Sequence, residues 1–115
     1  MHAVKLLHKQ LQFACPNIHR KRLNTLICAT KTLSEDQHLS ITGLGRALKS
    51  QTSAKHNIKR MDRLIGNVWL QSERFQIYSA ISRWLLGRCA QPIIIVDWSD
   101  FSADREQQLL RASIP

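Results

Sequence analysis

The stretch AKHNIKRMDRLIGN, residues 54–67, decides how this chain is read. Taken at about 100° per residue from Ala54, the positions Ile58, Met61 and Ile65 return to within about 40° of the starting direction. Lys55, His56, Lys59, Arg60 and Arg63 fall on the opposite arc, between about 100° and 240°. Every side chain in that arc is basic or histidine. The spacing predicts a helix over 54–65 with one packing face and one cationic face, stopped by Gly66-Asn67. Such a helix suits phosphates and base edges, but also plain solvent or an anionic membrane surface. Its apolar face has no tryptophan or phenylalanine, which weakens the membrane reading.

Working outward, Ile41, Leu44, Ala47 and Leu48 mark a short helix despite Gly43 and Gly45. Each helical glycine costs up to ~1 kcal/mol against alanine, a cost offset if a second helix needs to approach closely. Lys49–Ser53 reads as a turn. Short helix, turn and 54–65 helix form a helix-turn-helix pattern, in which the second helix enters the major groove. On that reading Arg60 and Arg63 are candidate base contacts, since arginine pairs bidentately with guanine. Lys55 and Lys59 are candidate phosphate contacts. Asn57 has the chemistry to read adenine but lies beside the packing face.

Upstream, Val4, Leu7, Leu11 and Ala14 share a helical face that Pro16 interrupts near Cys15. Asn17 is the expected N-cap of a second helix, with Leu23, Leu26, Ile27, Thr30 and Leu33 as its buried stripe. Arg20, Lys21 and Arg22 near its start oppose the helix dipole, a cost that solvation or a bound phosphate offsets. Residues 34–40 read as a loop. Downstream, Ser72 with Glu73 is the expected opening of a further helix carried by Phe75, Tyr78, Ile81, Trp84 and Leu85 and ended by Gly87.

The period then changes. Pro92 is followed by Ile93, Ile94, Ile95 and Val96, an unbroken β-branched run expected to be a strand buried on both faces. It is expected to end at Asp97-Trp98-Ser99-Asp100, and the tail from Gln107 to Ile114 fits a strand or a helix, with the strand preferred. A rigid strand ending in a carboxylate is one way to hold a divalent metal; a turn or capping role for Asp97 is the plainer alternative. Asp100, Asp104 and Glu106 lie nearby in sequence. Residues three apart in an extended segment point to opposite faces, so Asp97 and Asp100 converge only across a sharp turn.

Composition narrows the field further. The chain has 115 residues, 43% hydrophobic and 22% charged, enough for one modest domain. No apolar run approaches the ~18 residues of a membrane span, and MHAVKLLHKQLQ lacks the pattern of a secretory signal. Three cysteines without CxxC spacing argue against a disulfide framework and suit a reducing cytoplasm. The five histidines show no zinc spacing, and no phosphate-binding glycine loop is present. The net charge of +9 is uneven: residues 1–63 hold 12 basic and 3 acidic residues, residues 64–115 hold 5 of each. A cationic N-terminal part fused to a neutral one suggests a polyanion partner, most simply nucleic acid, with a solvated surface as the alternative.

Four segments together carry a resemblance: CPNIHRKRLNTL (15–26), KHNIKRMDRLIGN (55–67), IIIVDWSD (93–100) and LRAS (110–113). They resemble the N-terminal part of DDE insertion-sequence transposases of the IS-four group. The resemblance implies a mainly α chain. A helical DNA-binding region over 1–90 would recognise transposon terminal repeats, and 91–115 would begin an incomplete ribonuclease-H-like α/β domain. Asp97 matches the first of the family's three metal-binding carboxylates, which implies it as a catalytic residue and Mg²⁺ ligand in two-metal strand cleavage and transfer. By the family's pattern the other two acids lie downstream of Pro115. The expectation is therefore a transposase fragment, in a bacterial cytoplasm and on the nucleoid, that binds transposon-end DNA. It is not expected to cleave DNA alone or to hold Mg²⁺ tightly, and no membrane partner is expected. Self-association through the 92–97 strand, or pairing with a full-length transposase, is the expected protein contact. A stand-alone helix-turn-helix regulator is the alternative from another class, and an inert degraded product is a third.

Overall fold

The computed structural model describes residues 2–36, 39–100 and 102–113. Among them are five helices, α1 His2–Ala14, α2 Arg20–Asp36, α3 Ile41–Ala47, α4 Ala54–Ile65 and α5 Val68–Leu86, and then two strands, β1 Ile95–Asp100 and β2 Gln108–Ser113. The protein is thus mainly helical with a small antiparallel sheet. It divides into two compact units, Met1–Leu85 and Leu86–Pro115.

In the helical unit α2 is buried on two sides. Its Leu23 and Ile27 join Val4, Leu11 and Cys15, together with Ile18 and Ile77, in one apolar cluster. Its Ala29 joins Leu44, Leu48, Met61 and Leu64 in another, and Leu26 packs against both. Two-sided burial explains why the stripe read from sequence is incomplete: Ala29 and Thr32 are buried as well. The Cys15 thiol is pushed above its ordinary value, chiefly by burial and secondarily by the charge of Glu73.

Three helix boundaries differ from expectation. Asn17 is not the cap of α2, which opens at Arg20 with Leu23 N donating to His19 O at 3.0 Å. Asn17 instead exchanges side-chain amide hydrogen bonds with Gln76 of α5, one of them at 2.7 Å. Residues 34–36, expected in a loop, complete the last turn of α2. Ser34 adapts to the helix by donating from Oγ to Lys31 O. Helix α5 opens at Val68 rather than Ser72, because Asn67 Oδ1 accepts from Leu70 N at 3.1 Å and its carbonyl accepts from Gln71 N. Asn67 therefore follows one helix and caps the next.

The expected stripe of α5 is also rotated. Ile77 is buried, with Leu70, Ala80 and Ile81 partly buried beside it, while Phe75 is 82% exposed and Tyr78 and Leu85 are exposed too. An ion pair decides the rotation. Glu73, one turn before Ile77, accepts two hydrogen bonds from Arg22, at 2.8 Å from Nε and 2.5 Å from Nη2. A charged residue facing inward is invisible to a pattern drawn from apolar residues alone. Gly87, at φ 55°, supplies the left-handed residue that follows α5.

Helices α3 and α4 meet through a glycine. A Cβ built on Gly45 would lie 2.6 Å from Ile58 Cα, so only a bare backbone fits there. The buried face of α4 is also rotated by about half a residue step from the expected wheel, away from Ile58. Asn57, Met61 and Leu64 are buried, whereas Ile65 is half-exposed and Ala54 is exposed.

The C-terminal unit is a two-stranded hairpin in which Ile95 pairs with Ser113, Asp97 with Arg111, Trp98 with Leu110 and Asp100 with Gln108. Two expectations are corrected here. The strand begins at Ile95, not Ile93, and continues through Asp97 to Asp100. Ile93–Val96 is exposed rather than buried on both faces. A two-stranded ladder has no layer to bury both faces, and such a hairpin is marginal by itself. The connecting segment turns on Asp104, whose Oδ1 accepts from Ser102 Oγ and from Glu106 N. The Ser102 hydroxyl, more than the backbone amide, holds the Asp104 carboxyl below its ordinary range. Arg105 beside it takes a positive φ of 61°.

Candidate nucleic-acid interface

Helix α4 is anchored at its start by Ser53, whose Oγ accepts from His56 N and pairs with His56 Nδ1 at 2.7 Å. Of its expected cationic arc, Lys55, His56, Lys59 and Arg63 are exposed, and the rotation of the helix leaves Arg60 half-buried. Among the described residues, Lys55, Lys59 and Arg63 form no ion pair. Asn57 is 3% exposed. Its Oδ1 accepts from Ser50 Oγ at 2.9 Å and Thr52 Oγ1 at 2.7 Å, and its Nδ2 donates to Leu48 O. Oδ1 and one N–H of Nδ2 are thus engaged inside the α3–α4 connection, and the side chain is buried there rather than offered to a base.

The basic residues of α2 separate into two roles. Arg20 and Lys21 are exposed. Arg22 is committed to Glu73, with side chains only 17% and 14% exposed, and the hydrogen bond to that carboxylate holds its guanidinium above its ordinary value. A doubly bonded, largely buried arginine is an internal strut between α2 and α5 rather than a free cation.

Tertiary structure brings α2 and α4 together in a way the sequence does not display. A cleft of about 300 Å³ opens between the start of α2 and the later turns of α4, lined by His19, Lys21, Thr25, Arg60, Arg63 and Asn67 and by the Glu73-paired Arg22. Arg60 Nη2 donates to Thr25 Oγ1 at 3.2 Å, and Thr25 Oγ1 donates to Lys21 O at 2.9 Å. Thr25 therefore connects the arginine of one helix to the first turn of the other. Thr25 and His19 had no sequence signal as site residues; the one available clue is that Thr25 lies one turn after Lys21.

In the hairpin, Asp97 lies in mid-strand, and its Oδ2 accepts from Arg111 Nη2 at 3.0 Å. Asp100 meets Arg105 at 3.5 Å and Gln108 at 3.4 Å. No three His, Cys, Asp or Glu side chains converge among the described residues. A divalent ion of the Mg²⁺ type needs several convergent oxygens, and Asp97 with its arginine partner does not make up such a set. Among the described residues no helix is long and apolar enough to cross a membrane. Compared with family models, with curated proteins and with solved structures, the chain matches none.

Proposed function

We propose that the helical unit of this chain binds duplex DNA, as the end-recognition part of a DDE transposase of the IS-four type. Helices α3 and α4 act as a helix-turn-helix, with α4 in the major groove. The observation that carries the reading is the gathering of cations from two separated segments, Lys21 of α2 with Arg60 and Arg63 of α4, around one cleft. It continues along α4 into the exposed Lys55 and Lys59. The Leu48–Ser53 connection is longer than the ~3–4-residue turn typical of the motif. Asn57 supplies rigidity by hydrogen-bonding to three residues of it. On this reading Asp97 corresponds to the first metal-binding acid of a ribonuclease-H-like domain, whose Mg²⁺ chemistry needs several carboxylate oxygens around the ions.

A stand-alone helix-turn-helix regulator is the second reading. It is favoured by the two apolar clusters that the helical unit closes from its own residues. Both readings expect salt-sensitive DNA binding. About five neutralised phosphates give a slope of about −4 to −5 in log K against log salt. Fluorescence anisotropy with labelled duplexes over a salt series measures it. A folded protein without salt-dependent affinity overturns both readings. Preference for an insertion-sequence terminal repeat over a random duplex separates the first from the second.

A further inference from the structure

We propose that the cleft between α2 and α4 is a single-phosphate clamp, in which Lys21 and Arg63 close on the same phosphodiester from two helices while Arg60 is braced alongside. This deepens the DNA-binding reading and rests on it.

Three observations on different elements agree. The cleft, about 300 Å³, amounts to roughly ten waters at ~30 Å³ each. That leaves room for one phosphate with part of its hydration shell. Helix α2 has no acid in its first turn and carries Arg20, Lys21 and Arg22 there. Cations at the positive end of a 17-residue helix are unfavourable alone and become favourable around an anion, which the free N–H groups also attract. Arg60 is not loose. Its bond to Thr25, whose hydroxyl is itself fixed on the Lys21 carbonyl, holds its guanidinium against α2 before any ligand arrives. A preorganised guanidinium loses less freedom on binding than a solvated one. The arrangement changes the role expected of Arg60 and Arg63 from base readers to backbone anchors and leaves base contacts to the exposed start of α4.

The test uses the full chain and a random-sequence duplex, since a backbone contact needs no particular sequence. Lys21→Gln and Arg63→Gln alter exposed side chains, and circular dichroism melting verifies that both variants stay folded. Each single substitution is expected to leave the log–log salt slope near the parental one, because the other cation still neutralises the shared phosphate. The double variant is expected to flatten it by about 0.9, the loss of one neutralised phosphate. Single losses of about 0.9 that add to about 1.8 mean two separate phosphates and overturn the clamp. An unchanged slope in the double variant overturns it while leaving the DNA-binding reading intact. Absence of salt-dependent binding by the parent chain overturns both. Inorganic phosphate, titrated at constant ionic strength with the Thr25 and Asn67 amides followed by NMR, gives the second arm. Saturable phosphate binding without duplex binding assigns the cleft to free phosphate and overturns the DNA contact.

Discussion

Arg22 and Glu73 stand on helices far apart in sequence and are joined by two hydrogen bonds, 2.8 and 2.5 Å long. The pair ties the cation-bearing start of α2 to α5 and removes Arg22 from the exposed basic surface. Hydrogen bonds to charged groups contribute about 1.5–3 kcal/mol. Glu73→Ala leaves the guanidinium largely buried and uncompensated, so a loss of about 2–3 kcal/mol is expected. Urea denaturation measures it. Replacing Lys21, an exposed cation one residue away, should change stability by less than ~0.5 kcal/mol. Equal effects from the two substitutions contradict the strut role of Arg22.

Gly45 should tolerate no side chain. A Cβ there meets Ile58 Cα at 2.6 Å and Ile58 N at 2.7 Å, so trimming the Ile58 side chain offers no relief. Gly45→Ala is expected to cost at least about 1–3 kcal/mol and to spread α3 from α4. Gly66→Ala is the control, because its nearest neighbour would be an ordinary contact at 3.5 Å. Thermal melting of the two variants should separate them clearly, and Gly45→Ala/Ile58→Ala should recover little.

Asn57 distinguishes a structural amide from a reading one. Removing it takes the Nδ2 partner from the carbonyl of buried Leu48 and the shared acceptor from the exposed hydroxyls of Ser50 and Thr52. Asn57→Ala is expected to destabilise the fold by about 1–3 kcal/mol. DNA affinity, corrected for the folded fraction, should keep its sequence preference. A variant with parental stability and altered preference at an adenine shows the opposite role.

Thr25 is expected to act on DNA through Arg60. Thr25→Val keeps the shape and removes the hydroxyl that accepts from Arg60 and donates to Lys21 O. Affinity for any duplex should fall by roughly two- to tenfold, the worth of one hydrogen bond of about 0.5–1.5 kcal/mol. Thr25→Ser should restore it. If Thr25→Ser is as weak as Thr25→Val, the effect is packing and the positioning role fails.

The hairpin is expected to associate rather than catalyse. Ile95, Val96, Trp98, Leu109 and Leu110 are all at least half-exposed, and a two-stranded ladder leaves both outer edges open to pairing. Sedimentation should show concentration-dependent self-association that weakens in Val96→Lys/Trp98→Lys. Incubation of the isolated chain with a terminal-repeat duplex and Mg²⁺ or Mn²⁺ should give no nicking, since two-metal transfer needs several oxygens around two ions ~3.5–4 Å apart. Metal-dependent nicking abolished by Asp97→Ala overturns this prediction.

Much of the architecture is encoded in local pattern. The bounds of α4 follow from a cationic arc opposite an apolar stripe, with Ser53 before it and Gly66 after it. The change from helix to strand follows from a β-branched run after Pro92, and the charge asymmetry is a property of composition alone. These features depend on residues near one another in the chain, where dihedral preference, capping and periodicity act. Tertiary structure decided the rest. The inward face of α5 carries Glu73, whose partner Arg22 lies on α2, and the α3–α4 spacing is the one that a bare Gly45 opposite Ile58 permits. The exposure of Ile93–Val96 depends on how many strands stand beside it. The cleft joining Lys21 to Arg60 and Arg63 depends on Thr25 bridging two helices. Each of these is a contact between distant segments, and its free energy exists only after the chain has closed the intervening loop.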